Sequence, residues 1–478
     1  MFILAVIAAM AGGAFARERL VPAQQTVTRR DLAQEDMALR SLELASGACG
    51  QDSTVQRLQD LADAYAKGRG FNGSILVARK GIILLEKGYG WRDRAKRLPN
   101  DGQTQFQIAS TTKTFTSTVI LRLIAANKLA LTDKLSRWYP ELPYGDSVTI
   151  EQLLTHTSGI WDFTRGEPLY QADEQKMISI FRSHPLDFPP GTDWRYSNSN
   201  YELLGYIVKR VTGQDYFRTV RATIFEPLGM RSSGFDFTHL SSKEKAVGYK
   251  LLTDSMGVAD EFSDSSVVFA AGSIYSTVED LYRWHRGLED GKVLDTAWQE
   301  KAYTKFMSHY GYGWTVDSVG DKKVVSHSGS IAGFGSDFER VPADDICVIV
   351  LSNKSKSTFM VQNISQKMLA ILYGRPYTLP SGWVVKELPA AELQSYSGSY
   401  DLKELNLVFR IWVEDGELFG QSENRAGPRA TMEATGNDHF IIKEDEDAEI
   451  SFVRDASGKI IAMDVKQRGT VKTAKKIK

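Results

Sequence analysis

Cysteine is scarce in this chain. Its 478 residues include two cysteines, Cys49 and Cys347, which lie far apart and fit neither a Cys-x-x-Cys pair nor a Cys/His ligand spacing. Disulfide scaffolds and structural zinc sites are built from such clusters, so the sequence argues against both. The two cysteines can form one bridge at most.

An excess of charge of either sign is also absent. The chain has 58 Lys and Arg against 59 Asp and Glu, which gives a formal charge of -1 and a pI of about 6.7. Such a chain has no field that attracts a polyanion, so we expect no nucleic-acid partner. Its 42% hydrophobic and 24% charged residues are typical of a globular protein, and its length suggests two or three domains.

The N-terminal residues 1–16 form an almost wholly apolar run that ends in Ala14-Phe15-Ala16. A short apolar run before a small-x-small site is typical of a signal peptide, and the run is too short to span a bilayer comfortably. The sequence therefore predicts a secreted or periplasmic protein with no stable membrane span. Because no Lys or Arg precedes the run, an N-terminal anchor or a buried helix stays open as the alternative. Residues 17–52 are polar and predict a loose extension.

Strand-like runs stand at both ends of residues 53–375, and helical runs fill the middle. Apolar residues recur at helical spacing from Val55, and two strand-like runs flank a turn at Arg79-Lys80-Gly81. The predicted strands are 73–78, 82–86, 311–316, 324–326, 334–340 and 346–352, and the predicted helices are 111–127, 150–155, 201–212 and 278–288. We expect distant segments to close a single sheet.

The composition and periodicity of the sequence change near residue 375. Residues 376–390 are punctuated by Pro and Gly without periodicity, which is typical of a linker. Residues 391–478 read as all β, because apolar residues alternate from Leu405 to Val413 and tight turns stand at Asp415-Gly416 and Ser457-Gly458. This segment predicts a small barrel or sandwich.

The sharpest chemical signal is Ser110-Thr111-Thr112-Lys113, where a strand-like segment gives way to a helix. Serine and lysine three residues apart share one helix face. A serine hydroxyl needs a neighbouring base to become a nucleophile, and burial can lower the pKa of a lysine enough to supply one. The spacing alone is common, and Ser242 and Lys245 repeat it in a polar stretch.

Two further motifs add weight to this signal. Tyr196-Ser197-Asn198 follows a turn-rich stretch and opens into a helix, and a tyrosine near a lysine can shuttle protons because the cation favours the phenolate. His327-Ser328-Gly329 ends a strand-like run in a glycine-rich stretch, on which backbone amides can approach a substrate. Each motif alone is as readily a packing or capping feature.

In this order, the three motifs resemble the serine β-lactamase and penicillin-binding-protein superfamily, where Ser-x-x-Lys, Tyr-x-Asn and Lys-Thr-Gly line one cleft. Residues 153–159 (LLTHTSG), 190–205 and 271–281 are similar to its class C β-lactamase-related branch, and the resemblance covers about residues 55–373. It implies an α+β fold: a β-lactamase/transpeptidase-like domain at residues 53–375, with an antiparallel sheet flanked by helices and an all-helical subregion.

The resemblance also implies roles for particular residues. Ser110 is the acylated nucleophile, Lys113 is its base partner, and Tyr196 exchanges protons with the leaving group and the deacylating water. Asn198 contacts the substrate or Lys113. The amides of Ser110 and Ser330 form the oxyanion hole, and His327 and Gly329 line the substrate site.

One departure separates this chain from a dedicated β-lactamase. His327-Ser328-Gly329 stands where a β-lactamase has Lys-Thr-Gly, so a group only partly charged at neutral pH replaces a fixed cation that helps to hold the drug's carboxylate. His-x-Gly at this position resembles D-aminopeptidases and related esterases of the family. Some of these carry a C-terminal β-barrel, and residues 391–478 resemble such a lipocalin-like barrel in strand pattern and position.

We therefore predict a serine hydrolase that acts on small peptides, amides or esters through an acyl-enzyme at Ser110, with no metal and no cofactor. Its expected partner is a small-molecule or peptide substrate. A penicillin-binding carboxypeptidase or β-lactamase, and a non-catalytic binding protein of the same fold, remain the alternatives. The sequence says nothing of the oligomeric state.

Overall fold

The computed structural model describes residues 53–252, 257–260, 264–380, 385–423, 429–443, 445–467 and 470–477, with the backbone alone at 445–447. The predicted signal peptide, the predicted extension 17–52 and Cys49 lie outside the described residues. The chain divides into two compact units, residues 65–377 and residues 378–478 together with residues up to 64. The domain boundaries predicted from the sequence stay predictions.

An antiparallel sheet of six strands organises the first unit. In chain order, the strands of this unit are β1 (Gly73–Arg79), β2 (Ile82–Tyr89), β3 (Trp91–Asp93), β4 (Leu98–Pro99), β5 (Phe106–Gln107), β6 (Tyr249–Leu252), β7 (Gly257–Ala259), β8 (Tyr275–Ser276), β9 (Thr315–Val319), β10 (Lys322–Ile331), β11 (Phe334–Val341) and β12 (Ile346–Ser352). The sheet order is β2-β1-β12-β11-β10-β9. Gly73 of β1 lies opposite Ser352 of β12, so distant segments close the sheet as predicted.

Two of the predicted strands differ from the structure. The segment predicted as a strand at 311–316 is mostly a loop, and β9 begins only at Thr315, because Gly313 takes a left-handed φ of +79° that interrupts an extended chain. The strand predicted at 324–326 extends to Ile331. His327-Ser328-Gly329 therefore lies inside β10 and does not end the strand.

Helices cover both faces of the sheet and fill the middle of the sequence. In chain order, the helices are α1 (residues 53–69), α2 (Thr112–Ala125), α3 (Ile150–Leu154), α4 (Glu174–Ser183), α5 (Asn198–Thr212), α6 (Tyr216–Val220), α7 (Glu226–Leu228), α8 (Ser265–Gly272), α9 (Val278–Glu289), α10 (Thr296–Ala302), α11 (Thr358–Leu372) and α12 (Ala390–Ser395). Arg340 of β11 donates a hydrogen bond to His285 of α9. Asp337 of the same strand hydrogen-bonds with Ser365 of α11, which packs on β11. Residues 337 and 340 point to opposite faces of a strand, so α9 and α11 sandwich the sheet.

The helices α2, α5 and α8 pack against one another beside the sheet and carry the core of the unit. Phe115 of α2 is fully buried and stacks on Trp284 with ring centroids 4.4 Å apart. One continuous cluster of buried apolar residues joins these helices to one face of the sheet. The α+β architecture of a β-lactamase/transpeptidase-like domain is therefore confirmed.

The second unit contains a closed antiparallel barrel of eight strands. These are β13 (Gly398–Leu402), β14 (Leu407–Glu414), β15 (Glu417–Ser422), β16 (Ala430–Gly436), β17 (His439–Ile442), β18 (Asp445–Arg454), β19 (Ile460–Gln467) and β20 (Thr470–Lys476). Each strand pairs with the next along the chain, and β20 pairs with β13 to close the barrel. Side chains fill its interior, where the rings of Tyr396, Phe440 and Phe452 contact one another.

Among the residues that the structure describes, no helix has the length and the apolar character that crossing a membrane requires.

Candidate active site

Ser110 lies on a 3-10 turn, Ala109–Thr111, that leads directly into α2. Ala109 has a φ of +44°, an uncommon conformation for a residue with a Cβ atom. The hydroxyl of Thr111 donates a hydrogen bond of 3.1 Å to the carbonyl of His327 and so ties the turn to β10. The side chain of Ser110 is left partly exposed at the start of a buried helix.

Gly329 lets β10 approach this turn closely. A Cβ atom on Gly329 would lie 2.2 Å from the carbonyl oxygen of Ile108 and 3.0 Å from the Cβ of Ala109. The hydroxyl of Ser336 donates to the same Ile108 carbonyl at 2.7 Å. The glycine of the His-x-Gly motif is therefore required by packing between β10 and the turn that carries Ser110.

Lys113 is fully buried on α2, and its Nζ is surrounded by three oxygen atoms. These are Oγ of Ser110 at 3.1 Å, Oδ1 of Asn198 at 2.8 Å and the carbonyl oxygen of Ala271 at 2.8 Å. Burial disfavours the charged form and lowers the pKa of Lys113 to about 7, although two neighbouring carboxyl groups oppose the shift. A large fraction of this amine is therefore neutral at neutral pH.

The three oxygen atoms around Lys113 fix the direction of its lone pair. A neutral amine has two N–H groups and one lone pair, and the oxygens of Asn198 and Ala271 can only accept. Both N–H groups are therefore used on these two acceptors, and the lone pair points to the hydroxyl of Ser110. In the charged form all three positions are N–H donors, and no lone pair is left for a proton.

Tyr196 lies beside Lys113 and Ser110. Its ring centroid is 4.9 Å from Nζ of Lys113, and its hydroxyl hydrogen-bonds with the hydroxyl of Ser110. The side chain is buried, which raises the pKa of Tyr196 above its ordinary value. Burial therefore favours the protonated phenol over the phenolate at Tyr196.

His156 supports the loop that presents Tyr196. Its ring packs on the ring of Tyr196 with centroids 4.3 Å apart and on that of Tyr310 at 4.8 Å. Its Nδ1 accepts the backbone amide of Ser197 at 3.2 Å. Burial, helped by the charge of Lys113, lowers the pKa of His156 well below its ordinary value, so the ring is neutral.

Asn198 occupies the first position of α5 and bridges Lys113 to a buried carboxylate. Its Oδ1 accepts from Lys113, and its Nδ2 donates to Oδ2 of Asp162 at 3.2 Å. Of the two contacts predicted for Asn198, the contact with Lys113 is therefore present. Asp162 was not among the predicted site residues.

A second carboxyl group faces the same lysine. Glu202 lies one turn after Asn198 on α5, is fully buried and interacts with the charge of Lys113. The carbonyl of Ala271 accepts from Lys113, whereas neither carboxyl oxygen of Glu202 has a hydrogen-bond partner among the described residues. Burial raises the pKa of Glu202 well above its ordinary value, so this carboxyl group is held in the neutral form.

His327 lies in β10 and is held by two hydrogen bonds. Its Nδ1 lies 2.7 Å from the carbonyl oxygen of Ser328 and must carry the proton, so its Nε2 accepts from the hydroxyl of Tyr310 at 2.9 Å. Burial, together with the charge of Lys113, lowers the pKa of His327 to about 3. The residue that stands in place of a fixed cation is therefore neutral.

Ser330 lies on the same strand, beyond the point where the pairing of β10 with β9 ends. The pairing of β10 with β9 ends where Ser326 meets Thr315, whereas the pairing with β11 continues to Ile331. The outer edge of residues 327–331 therefore has no strand partner in the described sheet. Unpaired backbone groups on such an edge can bind a ligand. Ser330 is exposed there.

The aromatic residues after residue 160 differ in environment. Phe163 is buried in the core, Tyr170 is 82% exposed, and Trp161 stacks on His184 with ring centroids 3.8 Å apart. Packing in the core therefore explains Phe163.

The sequence of this chain matches a family model over nearly all of the first unit. The model named "Beta-lactamase" matches residues 52–372. The chain belongs to the Beta-lactamase family. A second model, a domain of unknown function (DUF3471), matches residues 384–475, which include the barrel.

Two curated members of the family from Bacillus subtilis (strain 168) are similar to this chain. The putative penicillin-binding protein PbpX is 35% identical over 267 residues, which are 56% of this chain and 67% of the relative. Penicillin-binding protein 4* is 29% identical over 436 residues, which are 82% of this chain and 96% of the relative.

Solved structures of the family share the fold. The octameric penicillin-binding protein homologue from Pyrococcus abyssi matches with a TM-score of 0.62 and 25% identity over 88% of this chain and 100% of that one. The D-amino acid amidase from Ochrobactrum anthropi SV3 matches with a TM-score of 0.57 and 26% identity over 68% of this chain and 99% of that one. Like these relatives, the chain is a serine hydrolase of the Beta-lactamase family.

Three residues near Lys113 and His327 escaped the sequence analysis. Asp162 follows the LLTHTSG stretch, Glu202 lies four residues after Asn198 on one helix face, and Tyr310 lies 17 residues before His327. The helical spacing of Glu202 was a usable signal. The contact of Tyr310 with His327 had none, because it depends on how a loop folds back on β10.

One group of residues outside this family site has metal-ligand atoms close together. Ligand atoms of His285, Glu289 and Asp345 lie within 4.8 Å of one another. Arg340 donates to Glu289 and to Nδ1 of His285, and Arg286 donates to both oxygens of Asp345. The two guanidinium groups already neutralise these carboxylates, so the group is an ion-pair network that joins α9 to the sheet.

Proposed function

We propose that this member of the Beta-lactamase family is an exported serine hydrolase that cleaves small amides, peptides or esters through an acyl-enzyme at Ser110. The observation that carries the proposal is the arrangement around Lys113, whose two fixed acceptors leave its lone pair for the Ser110 hydroxyl. A base held in this way activates a serine nucleophile without a histidine.

Acylation begins when Oγ of Ser110 attacks the substrate carbonyl carbon and Nζ of Lys113 takes the hydroxyl proton. The C–O bond forms, and the carbonyl electron pair moves onto oxygen. The backbone amides of Ser110 and Ser330 hold this oxyanion. The amide of Ser110 belongs to the first turn before α2, where amides have no acceptor within the helix.

The leaving group departs with a proton from Tyr196. The bond between the carbonyl carbon and the leaving nitrogen or oxygen breaks, the phenol protonates that atom, and Lys113 returns its proton to the phenolate. In deacylation the hydroxyl of Tyr196 accepts a proton from the attacking water as it passes its own to Lys113. Lys113 then protonates Oγ of Ser110 as the ester bond breaks, and the site is restored.

The neutral His327–Tyr310 pair supports a substrate without a carboxylate beside the scissile bond. His327 is uncharged, and the pKa of Lys113 is about 7, so neither residue is a permanent cation that could bind such a carboxylate. The likeness to a D-amino acid amidase supports small amides and short peptides, D-residues among them, as substrates. Short-chain esters fit the same chemistry.

Penicillin binding is the second candidate function, because two similar relatives bear the name penicillin-binding protein. The neutral His327 weakens the hold on the carboxylate of a β-lactam. We therefore expect benzylpenicillin to acylate Ser110 slowly or not at all. A stable adduct at Ser110, seen as a mass increase of the whole protein, would favour the penicillin-binding carboxypeptidase instead.

Export is part of the proposal and depends on residues 1–16. An apolar run that ends in Ala14-Phe15-Ala16 is what a signal peptidase recognises. Expression of the full chain with analysis of the N-terminus of the mature protein tests this. A mature chain that begins at residue 17 supports export, and an intact leader in the cell interior contradicts it.

The decisive experiment compares the wild type with Ser110→Ala and with Ser242→Ala. Ser242 has the same spacing to Lys245 but lies in a polar stretch of the sequence outside this site, so it is a matched control. Hydrolysis of D-alanine p-nitroanilide and p-nitrophenyl butyrate is measured for all three. We expect Ser110→Ala to lose about 10⁴-fold in kcat/KM and Ser242→Ala to match the wild type. Turnover that survives in Ser110→Ala overturns the proposal, and the absence of turnover in the wild type overturns it in favour of the non-catalytic binding protein.

A further inference from the structure

We propose that Asp162 is a positioning residue of this site: it fixes the amide of Asn198, and through that amide it aims the lone pair of Lys113 at Ser110. The inference rests on the function proposed above. Its evidence is a chain of contacts from the carboxylate of Asp162 through Asn198 to Nζ of Lys113.

The amide of Asn198 has a donor end and an acceptor end, and its two neighbours demand opposite ends. Oδ1 faces Nζ of Lys113 at 2.8 Å, and Nδ2 lies 3.2 Å and 3.5 Å from the two carboxylate oxygens of Asp162. With the amide reversed, Nδ2 would face the amine and Oδ1 would face the carboxylate. Oδ1 would then repel the carboxylate of Asp162, and Nδ2 would either repel the ammonium form of Lys113 or donate to the lone pair of the neutral amine. The carboxylate therefore selects the orientation in which that lone pair stays free for Ser110.

Asp162 is itself held in place. Its side chain is buried, and its Oδ1 accepts the amide of Thr164 at 3.2 Å, which caps the 3-10 turn Phe163–Arg165. The hydroxyl of Ser199 on α5 accepts the amide of Phe163 and donates to the carbonyl of Trp161. The backbone on both sides of Asp162 is thus tied to the helix that carries Asn198.

The charge of Asp162 also reaches Lys113. The titratable groups that face Nζ are Asp162 on its loop, Glu202 and Tyr201 on α5, Tyr196 before α5, His156 after α3 and His327 on β10. Both histidines are neutral, and burial holds Glu202 protonated. Asp162 therefore carries the negative charge that acts against the burial of Lys113, and its presence raises the pKa of the amine.

The test compares Asp162→Asn with Asp162→Ala. An asparagine keeps an oxygen that can accept Nδ2 of Asn198, whereas an alanine leaves the amide free to rotate. We expect kcat/KM to fall about 100-fold in Asp162→Ala, mostly through kcat, and by 10-fold or less in Asp162→Asn. Both variants lose the charge, so the pH at which activity is half-maximal moves to lower pH in both.

The readout is the rate at which a fluorophosphonate labels Ser110, followed by mass spectrometry across the pH range, besides hydrolysis of p-nitrophenyl butyrate. Asp295 supplies matched controls, because it caps α10 through the amide of Trp298 at 2.9 Å and is not part of the site. Asp295→Asn and Asp295→Ala are expected to keep the wild-type pH profile and rates, whatever stability they lose.

The two proposals fail in different ways. If Ser110 of the wild type is not labelled and is not needed for turnover, the proposed function is overturned. If Ser110 is labelled in the wild type but the Asp162 variants keep its pH profile and lose activity only in proportion to folded protein, Asp162 is structural, and the further inference alone is overturned.

Discussion

At the scale of single residues, the site depends on Lys113, whose surroundings both lower and raise its pKa. Complete burial of Lys113 favours the neutral amine, and the carboxylate of Asp162 favours the ammonium ion. The balance leaves its pKa near neutrality. A base is most effective when its pKa lies close to the pH at which it works.

The first prediction concerns pH. Lys113 is protonated below a pKa of about 7 and then has no lone pair, so kcat/KM for p-nitrophenyl butyrate should rise with pH through about 7 to a plateau. Lys113→Arg should be inactive throughout the neutral range, because a guanidinium group does not lose its proton there. A flat profile through pH 7, or an active Lys113→Arg, would contradict the role of this amine.

The second prediction concerns the pair that replaces a fixed cation. Tyr310→Phe removes the donor to Nε2 of His327 and leaves that nitrogen buried without a partner, which costs about 1–3 kcal/mol of stability. The ring then has one hydrogen bond instead of two, so we expect kcat/KM to fall about 10-fold.

Tyr312→Phe is the control for this change. Tyr312 lies two residues after Tyr310 in the sequence. Its hydroxyl donates to Glu151 at 2.6 Å and not to His327. Thermal unfolding should show a loss of stability in both variants, whereas kcat/KM should fall in Tyr310→Phe alone. Equal activity in the two variants would assign Tyr310 a packing role only.

At the scale of elements, β10 serves the sheet and the site at once. One edge pairs with β11 along residues 325–331, and the other edge is covered by β9 only as far as Ser326. The uncovered part of β10 carries His327, Gly329 and Ser330. The length difference between β9 and β10 thus places backbone groups beside Ser110 without a separate binding loop.

The third prediction tests the contact between β10 and the turn of Ser110. In Gly329→Ala the new Cβ would lie 2.2 Å from the carbonyl oxygen of Ile108, and neither backbone can yield without displacing the other. We expect a loss of about 3 kcal/mol in stability and of about 100-fold in kcat/KM. Chemical denaturation and ester hydrolysis measure the two effects.

A glycine with more space provides the comparison. A Cβ on Gly436 would meet its nearest neighbour at 3.7 Å, which is ordinary contact, so Gly436→Ala should be close to neutral. Equal stability and activity of Gly329→Ala and Gly436→Ala would contradict the close packing of β10 against the turn that carries Ser110.

At the scale of the whole molecule, the described residues of the two units contain separate hydrophobic clusters. The core of the first unit joins the helices to the sheet and contains Phe115 and Phe338, and that of the barrel contains Tyr396, Phe440 and Phe452. The residues of each core come from one unit. Units with separate cores can unfold in separate steps, so one stability value does not describe such a chain.

The fourth prediction follows from these separate cores. Phe452→Ala should destabilise the barrel by about 3–5 kcal/mol, and Phe338→Ala should destabilise the first unit by a similar amount. Calorimetry should show a different transition moving in each variant, and only Phe338→Ala should lower the temperature at which fluorophosphonate labelling of Ser110 is lost. A single transition that moves in both variants would contradict separate unfolding.

Strong periodicity made most elements of the fold predictable. The hairpin of β1 and β2, the helices α2 and α9 and the alternating strands of the barrel have apolar patterns that burial imposes on the sequence. The segment at 311–316 was predicted wrongly as a strand, since aromatic residues there favour strands while Gly313 breaks the extended chain. The left-handed conformation of Gly313 therefore overrides the strand preference of its neighbours.

The sequence by itself determined the family, the order of the motifs and the contact of Lys113 with Ser110 within one helix turn, because these depend on residues close in the chain. Only the tertiary structure decided the rest. Asp162, Glu202, Tyr310 and the carbonyl of Ala271 reach the site from four distant segments, and burial by those segments sets the protonation of Lys113, Tyr196 and His327. Desolvation is a property of the packed molecule, so no local motif encodes it.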